Sequence, residues 1–242
     1  MITKSIASVL IVSSVCVAQA PIESSFLDQV SVNEHFSLVN YKGSTESLVQ
    51  FIQGVNIKLS DTITASIDIP VYFQGTTDFG AIEVGFIWDA YKNETISLGL
   101  NVGIDTPMNN QFGAASFDPN LGGVLTYNLP WGNMKFEQTL NYEFVVNSAY
   151  SLPFGSKVSD DIISADSSIF YLVNDTVEFG ATVWQNYTVV SDGQQNILVG
   201  PNMKWDITPN VNLSGSVSIP VYQNVTAEEQ NYVLSAGLGI KF

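Results

Sequence analysis

His35 and Ser37 stand two residues apart in a stretch that alternates apolar and polar residues, so both side chains lie on one face of an extended chain. A serine hydroxyl is a weak nucleophile until a neighbouring base takes its proton, and the pair has the makings of nucleophile and base. His35 is the one histidine of the chain, and the sequence assigns no third residue to orient its ring. A larger set consists of Asp68, Glu83, Asp89, Glu137, Glu143, Asp166, Glu178 and Asp206 with Lys58, Lys135 and Lys204, all at the polar positions of alternating stretches, where Tyr72 and Tyr222 also fall. Carboxylates collected around a pore favour cations; the same residues paired with one another would be a solvated lining without selectivity. The single cysteine, Cys16, falls in the first twenty residues, so a structural zinc site is not expected. No phosphate-cradling glycine loop is present, and no cofactor is implied. Asp160, Asp161, Glu228 and Glu229 are adjacent loop acids that could take calcium but read more simply as solvated.

Strands must position these residues. Twelve stretches alternate with period two: 32–41, 49–59, 63–73, 82–89, 96–104, 121–129, 134–146, 163–173, 177–187, 197–207, 211–221 and 229–242. In the fifth, for example, Ile96, Leu98, Leu100, Val102 and Ile104 alternate with Ser97, Gly99, Asn101 and Gly103. The first is the least regular, because Glu34 shares the face of Phe36 and Leu38. Tight turns at 60–61, 92–93, 130–133, 174–175 and 208–210 alternate in one phase with longer links such as 75–78, 105–118 and 148–161. Short periplasmic turns, longer external loops and an even strand count belong to an all-β, transmembrane, antiparallel up-and-down barrel of about twelve strands with both termini at the periplasmic side. At a strand spacing of ~4.8 Å and a tilt of ~40°, twelve strands close to a backbone radius of roughly 12 Å. The long loops, with Phe112 and Phe154, could plug such a barrel.

Orientation supplies a second test, since outward aromatics of a membrane barrel gather at the two interfaces. Trp88, Tyr127, Phe136, Tyr171, Phe179, Trp205 and Phe242 fall at the predicted periplasmic ends, with Trp131 in a turn beside them, whereas Phe73, Tyr142, Phe144, Tyr187 and Tyr232 fall towards the external ends. Residues 1–20 read as a secretory leader, with Lys4, an apolar run from Ile6 to Val17 and Ala18-Gln19-Ala20 as cleavage site. Residues 21–30 then form a periplasmic lead and 31–242 the barrel. Beyond the leader no run approaches the ~18 apolar residues of a membrane helix. The chain is nevertheless apolar on average, with mean hydropathy +0.18.

All eight cations are lysines, set against 23 acids, for a formal net charge of −15. Phosphate binding needs clustered cations, so nucleic acid is excluded as a partner. Asn56-x-Lys58 followed by Ile69-Pro70-Val71-Tyr72 is echoed by Asn202-x-Lys204 followed by Ile219-Pro220-Val221-Tyr222. Proline cannot donate to a strand ladder, so both copies predict a bulge where a strand leaves the bilayer.

The ending Ser235-x-Gly237-x-x-Ile240-x-Phe242 resembles the terminal signal of Gram-negative outer-membrane barrels. That resemblance implies recognition by the barrel-assembly machinery and insertion among outer-membrane lipid. The Pro-x-Tyr strand ends and the run from Ile219 to Phe242 are similar to outer-membrane transporters associated with meta-pathway phenol degradation, which implies uptake of small aromatic or apolar solutes. His35-Phe36-Ser37 resembles the base and nucleophile of outer-membrane phospholipase and lipid A deacylase barrels. Three readings follow: a passive channel for small solutes with a mildly acidic lumen and no enzymatic activity, a structural or adhesive barrel without transport, and a membrane-embedded lipid hydrolase using His35 and Ser37.

Overall fold

The computed structural model describes residues 29–42, 47–74, 76–106, 117–130, 132–145, 150–151, 157–158, 161–189, 194–224 and 229–242. The leader, most of the lead, and Phe112, Trp131, Phe154, Asp160 and Glu228 lie outside them. Fifteen strands follow one another in chain order: β1 (Val30–Tyr41), β2 (Ser47–Lys58), β3 (Ile63–Gln74), β4 (Thr76–Phe79), β5 (Glu83–Lys92), β6 (Ile96–Asp105), β7 (Asp118–Asn128), β8 (Met134–Glu143), β9 (Tyr150–Ser151), β10 (Lys157–Val158), β11 (Ile162–Asn174), β12 (Val177–Thr188), β13 (Gln195–Thr208), β14 (Val211–Asn224) and β15 (Gln230–Lys241). β9 and β10 form a separate two-stranded piece. Every other strand joins a single antiparallel meander in which β1 pairs with both β2 and β15, closing the sheet into a barrel. Its wall is the twelve long strands that the alternation predicts, the irregular first strand included.

One loop is read differently by the structure. The link at 75–78 is instead mostly strand: β4 pairs with the end of β3, from Val71 opposite Phe79 to Gln74 opposite Thr76, and β5 takes over the same edge of β3 lower down, from Asp68 opposite Glu83. The chain thus turns back almost at once after β3. The interruption between β4 and β5 lies opposite Pro70, whose missing N–H would otherwise leave a ladder position unfilled; its carbonyl instead accepts from Gly80 N at 2.8 Å.

Side-chain oxygens tie four of the five tight turns, Thr208 Oγ1 at 208–210 accepting from Asn210 N at 3.2 Å. Asn93 Oδ1 accepts from Thr95 N and Ile96 N at 2.8 and 2.7 Å, Asn174 Oδ1 from Thr176 N and Val177 N at 2.9 Å each, and Ser60 Oγ from Ile63 N at 3.1 Å. Such bonds stand in for backbone turn bonds and favour short connections. In the turn before β8, Gly132 and Asn133 take positive φ of 70° and 52°, the left-handed region that glycine and asparagine tolerate best. All five turns lie at the end of the barrel that holds both Val30 and Phe242.

Sidedness separates this molecule from a soluble sandwich, whose apolar faces press together. Here the apolar alternates point outward and many stay exposed in the middle of their strands: Val102, Leu121 and Leu140 are 54%, 56% and 54% exposed, whereas Val49, Phe51 and Val71 on β2 and β3 are buried. An outer apolar face around a closed sheet with no free edge is the solution that hydrocarbon demands, because closure pairs the strands' backbone groups within the wall.

Candidate functional site: the barrel interior

The polar alternates converge on the interior, where two cavities open between facing walls. The larger, about 470 Å3, is bounded mainly by β3, β5, β6 and β7, with single residues from β1, β2 and β8, and lined by Asp68, Glu83 and Asp89 with Asn56, Asn101 and Thr126. The smaller, about 230 Å3, touches strands from both sides of the barrel and is lined by His35, Glu137, Asp166, Phe170, Trp184 and Lys204.

Lys204 of the smaller cavity and Lys135 close to it are committed to neighbouring carboxylates. Lys135 Nζ donates to both oxygens of Glu178, at 2.8 and 2.6 Å, and lies 3.0 Å from Glu137 Oε1; Lys204 Nζ donates to Glu137 Oε2 at 2.6 Å. Both ammonium groups sit over the ring of the buried Phe170, 5.0 and 4.4 Å from its centroid. This ring face attracts cations and fixes the two lysines side by side despite their like charge. Two lysines and two glutamates therefore neutralise one another on the wall of β8, β11, β12 and β13, and nearby Ser168, Thr182 and Asn202 bond among themselves.

Other expected positions are distributed unevenly. Lys58 Nζ pairs with Asp61 of the following turn at 2.9 Å and stands at the rim, half exposed. In that turn the ammonium holds the Asp61 carboxyl below the usual aspartate range, through the hydrogen bond first and charge second. Asp206 lies opposite Asn212 beside the turn and is exposed, while Glu143 lies opposite Asn120 and Ile162 at the loop end. Tyr72 is buried, accepts from Gln50 Nε2 at 3.0 Å and packs with Val39, Tyr41 and Leu48 on the inner wall. Tyr222 is a correction. The register between β13 and β14 shifts between Ile197 and Leu198, so that Pro220 opposes Leu198 while Tyr222 opposes Ile197. This bulge turns Tyr222 to the outer face, and the two Pro-x-Tyr copies are not equivalent.

Ser37 Oγ lies 3.0 Å from His35 Nε2 and 3.2 Å from Ser235 Oγ, on the inner wall. The pair expected from the sequence is thus in contact, but among the described residues no carboxylate hydrogen-bonds the other ring nitrogen, and Ser37 is buried. Asp161, one of the candidate calcium ligands, accepts from Tyr142 Oη at 2.5 Å and Val145 N at 3.0 Å, and Glu229 pairs with Lys42 at 2.8 Å. These acids are held by donors of the protein itself.

Of the aromatics, Tyr127 opposes Phe136, Tyr171 opposes Phe179, Trp88 opposes Ile63 and Trp205 opposes Val177, all near the turn end. Phe73, Tyr142, Tyr187 and Tyr232 belong to the loop-end halves of their strands. The closing motif lies on the seam strand: Ser235, Gly237 and Ile240 oppose Ser37, His35 and Val32, and Phe242 N donates to Val30 O at 3.2 Å. Sequence reading missed Asp105, Asp118 and Asn120, because the turn-like run from 105 to 118 hides that its two ends are the tips of paired strands.

Solved structures supply the comparison. An outer-membrane channel from Pseudomonas putida F1 matches 88% of this chain and 95% of its own at a TM-score of 0.66 and 12% identity. The NanC porin matches 88% and 100% at 0.62 and 11%, and the KdgM porin 88% and 99% at 0.54 and 11%. The fold is that of the outer-membrane porins. No protein-family model matches the sequence, and no curated protein does. Fold and apolar outer face together put the porin-like chain in an outer membrane.

Proposed function

We propose that this barrel is a passive channel for small solutes whose carboxylate-rich interior favours cations and neutral molecules over anions. The observation that carries the reading is the division of interior charge. Its lysines at 135 and 204 are bound to Glu137 and Glu178, whereas the larger cavity is lined by three carboxylates and, among the described residues, by no lysine or histidine. The KdgM porin has been solved in complex with disordered oligogalacturonate, an acidic sugar chain; an arginine-free interior with its lysines already neutralised is suited to the opposite sign. Phe170 and Trp184 in the smaller cavity supply aromatic surface for the small apolar or aromatic solutes that the resemblance to phenol-pathway transporters implies.

Reversal potentials in planar bilayers under a KCl gradient test the charge preference. Cation preference is expected, and Lys135→Ala with Lys204→Ala should enlarge it by releasing Glu137 and Glu178. Anion preference, or no conductance in any state, rejects the reading. The hydrolase alternative rests on the 3.0 Å contact between Ser37 and His35, and a lipid esterase activity lost in Ser37→Ala would favour it over transport.

A further inference from the structure

The wall from β3 to β7, which the larger cavity reaches at Asp68 and Glu83, breaks a rule that pairing in sheets normally obeys. Like charges directly opposite one another on neighbouring strands are destabilising, yet Asp68 opposes Glu83, Glu83 opposes Asp105 and Asp105 opposes Asp118. Four carboxylates thus form one row across β3, β5, β6 and β7. The next inward position on β7 is Asn120, which is 5% exposed. Its Nδ2 donates to Glu83 Oε1 at 2.9 Å, and its Oδ1 has no hydrogen-bond partner. Gly103 gives these groups their place: a Cβ there would lie 2.7 Å from Asn120 Oδ1 and 2.8 Å from Glu83 Oε1. A buried acceptor set against carboxylates without a donor of its own calls for a ligand that brings N–H groups and positive charge together.

From this we propose that Asp68, Glu83, Asp105 and Asn120 form a binding station for an elongated organic polycation, a linear diamine or polyamine, on its way through the barrel. The inference rests on the channel reading and specifies its solute. Shape decides against a single metal ion: among the described residues no three acidic, histidine or cysteine side chains converge as metal ligands. Carboxylates on neighbouring strands are instead strung out at intervals of ~4.8 Å along a row, which suits ammonium groups separated by methylenes. A terminal ammonium carries three donors, enough for a carboxylate and the Asn120 amide oxygen together.

The test uses the full barrel in planar bilayers in KCl, with spermidine or putrescine added on one side and magnesium as a compact cation of like charge. Spermidine should interrupt the potassium current in a dose-dependent way. Glu83→Gln and Asp105→Asn should weaken that block at least tenfold, whereas Asp175→Asn, in a turn outside the lumen, should leave it unchanged. A conducting barrel that spermidine does not block, that blocks equally well in the variants, or that magnesium blocks as tightly, overturns the station and leaves the channel reading standing. A barrel that does not conduct rejects the channel reading instead. Titration calorimetry of spermidine into the detergent-solubilised protein then decides the station alone: binding lost in Glu83→Gln supports it, and no binding to the parent overturns it.

Discussion

What a charged side chain does in this molecule depends on what faces it. Lys135 is held by both oxygens of Glu178 and lies beside Glu137, with its side chain 15% exposed. Removing it strands carboxylates in a partly dry setting, so Lys135→Ala should cost about 2 kcal/mol, the size of a lost charged hydrogen bond. The midpoint of heat-induced unfolding, followed by gel mobility in detergent, measures this. Lys42 makes the contrasting case. Glu229 holds its ammonium above the usual lysine range, through the hydrogen bond first, but both partners stand in water beyond the membrane. Any stability from this raised value is present below about pH 10 and lost only as pH climbs through it. An exposed pair contributes little, and Lys42→Ala is expected to leave the unfolding midpoint unchanged at neutral pH.

At the level of the strand, one residue of displacement exchanges lipid for lumen. Val102 and Asn101 are neighbours on β6, the first on the outer face and the second lining the larger cavity. Val102→Lys should destabilise the barrel by about 2–4 kcal/mol, the cost of a lysine near the bilayer midplane. Asn101→Lys should leave stability nearly intact while lowering cation preference. Denaturant unfolding in lipid vesicles separates the two, and equal effects would contradict the assigned faces. The last strand invites a different experiment. Phe242 closes the seam through its backbone bond to Val30, and its ring is proposed as part of the assembly signal. Phe242→Ala should reduce the amount of folded barrel recovered from outer membranes several-fold without altering the conductance of the molecules that do fold. The β4 interruption and the shift at Ile197 belong to this scale too, since each occurs beside a proline that cannot donate to the ladder.

For the whole molecule, closure is what makes the interior a site. Separated in sequence, His35 and Ser235 reach one cavity because β1 and β15 meet, and Glu137 meets Lys204 across three strand boundaries. Charge is not spread evenly inside: a neutralised cluster of lysines and glutamates occupies the wall from β8 to β13, and the acid row occupies the wall from β3 to β7. Such an arrangement sets the row of acids on one wall, towards the loop end.

Alternation with period two, the phase of tight and long connections and the composition of the last strand sufficed for the barrel, its twelve long strands and the direction of its outer face, because those properties depend only on which residues sit next to one another along the chain. Registers between strands were not legible, for they depend on pairs far apart in sequence. The contact of Ser37 with Ser235, the outward turn of Tyr222 and the exchange of a loop for β4 are all consequences of register. So is the row from Asp68 to Asp118: four acids scattered over fifty residues carry no pattern by themselves, and become one feature only when closure of the wall sets them side by side.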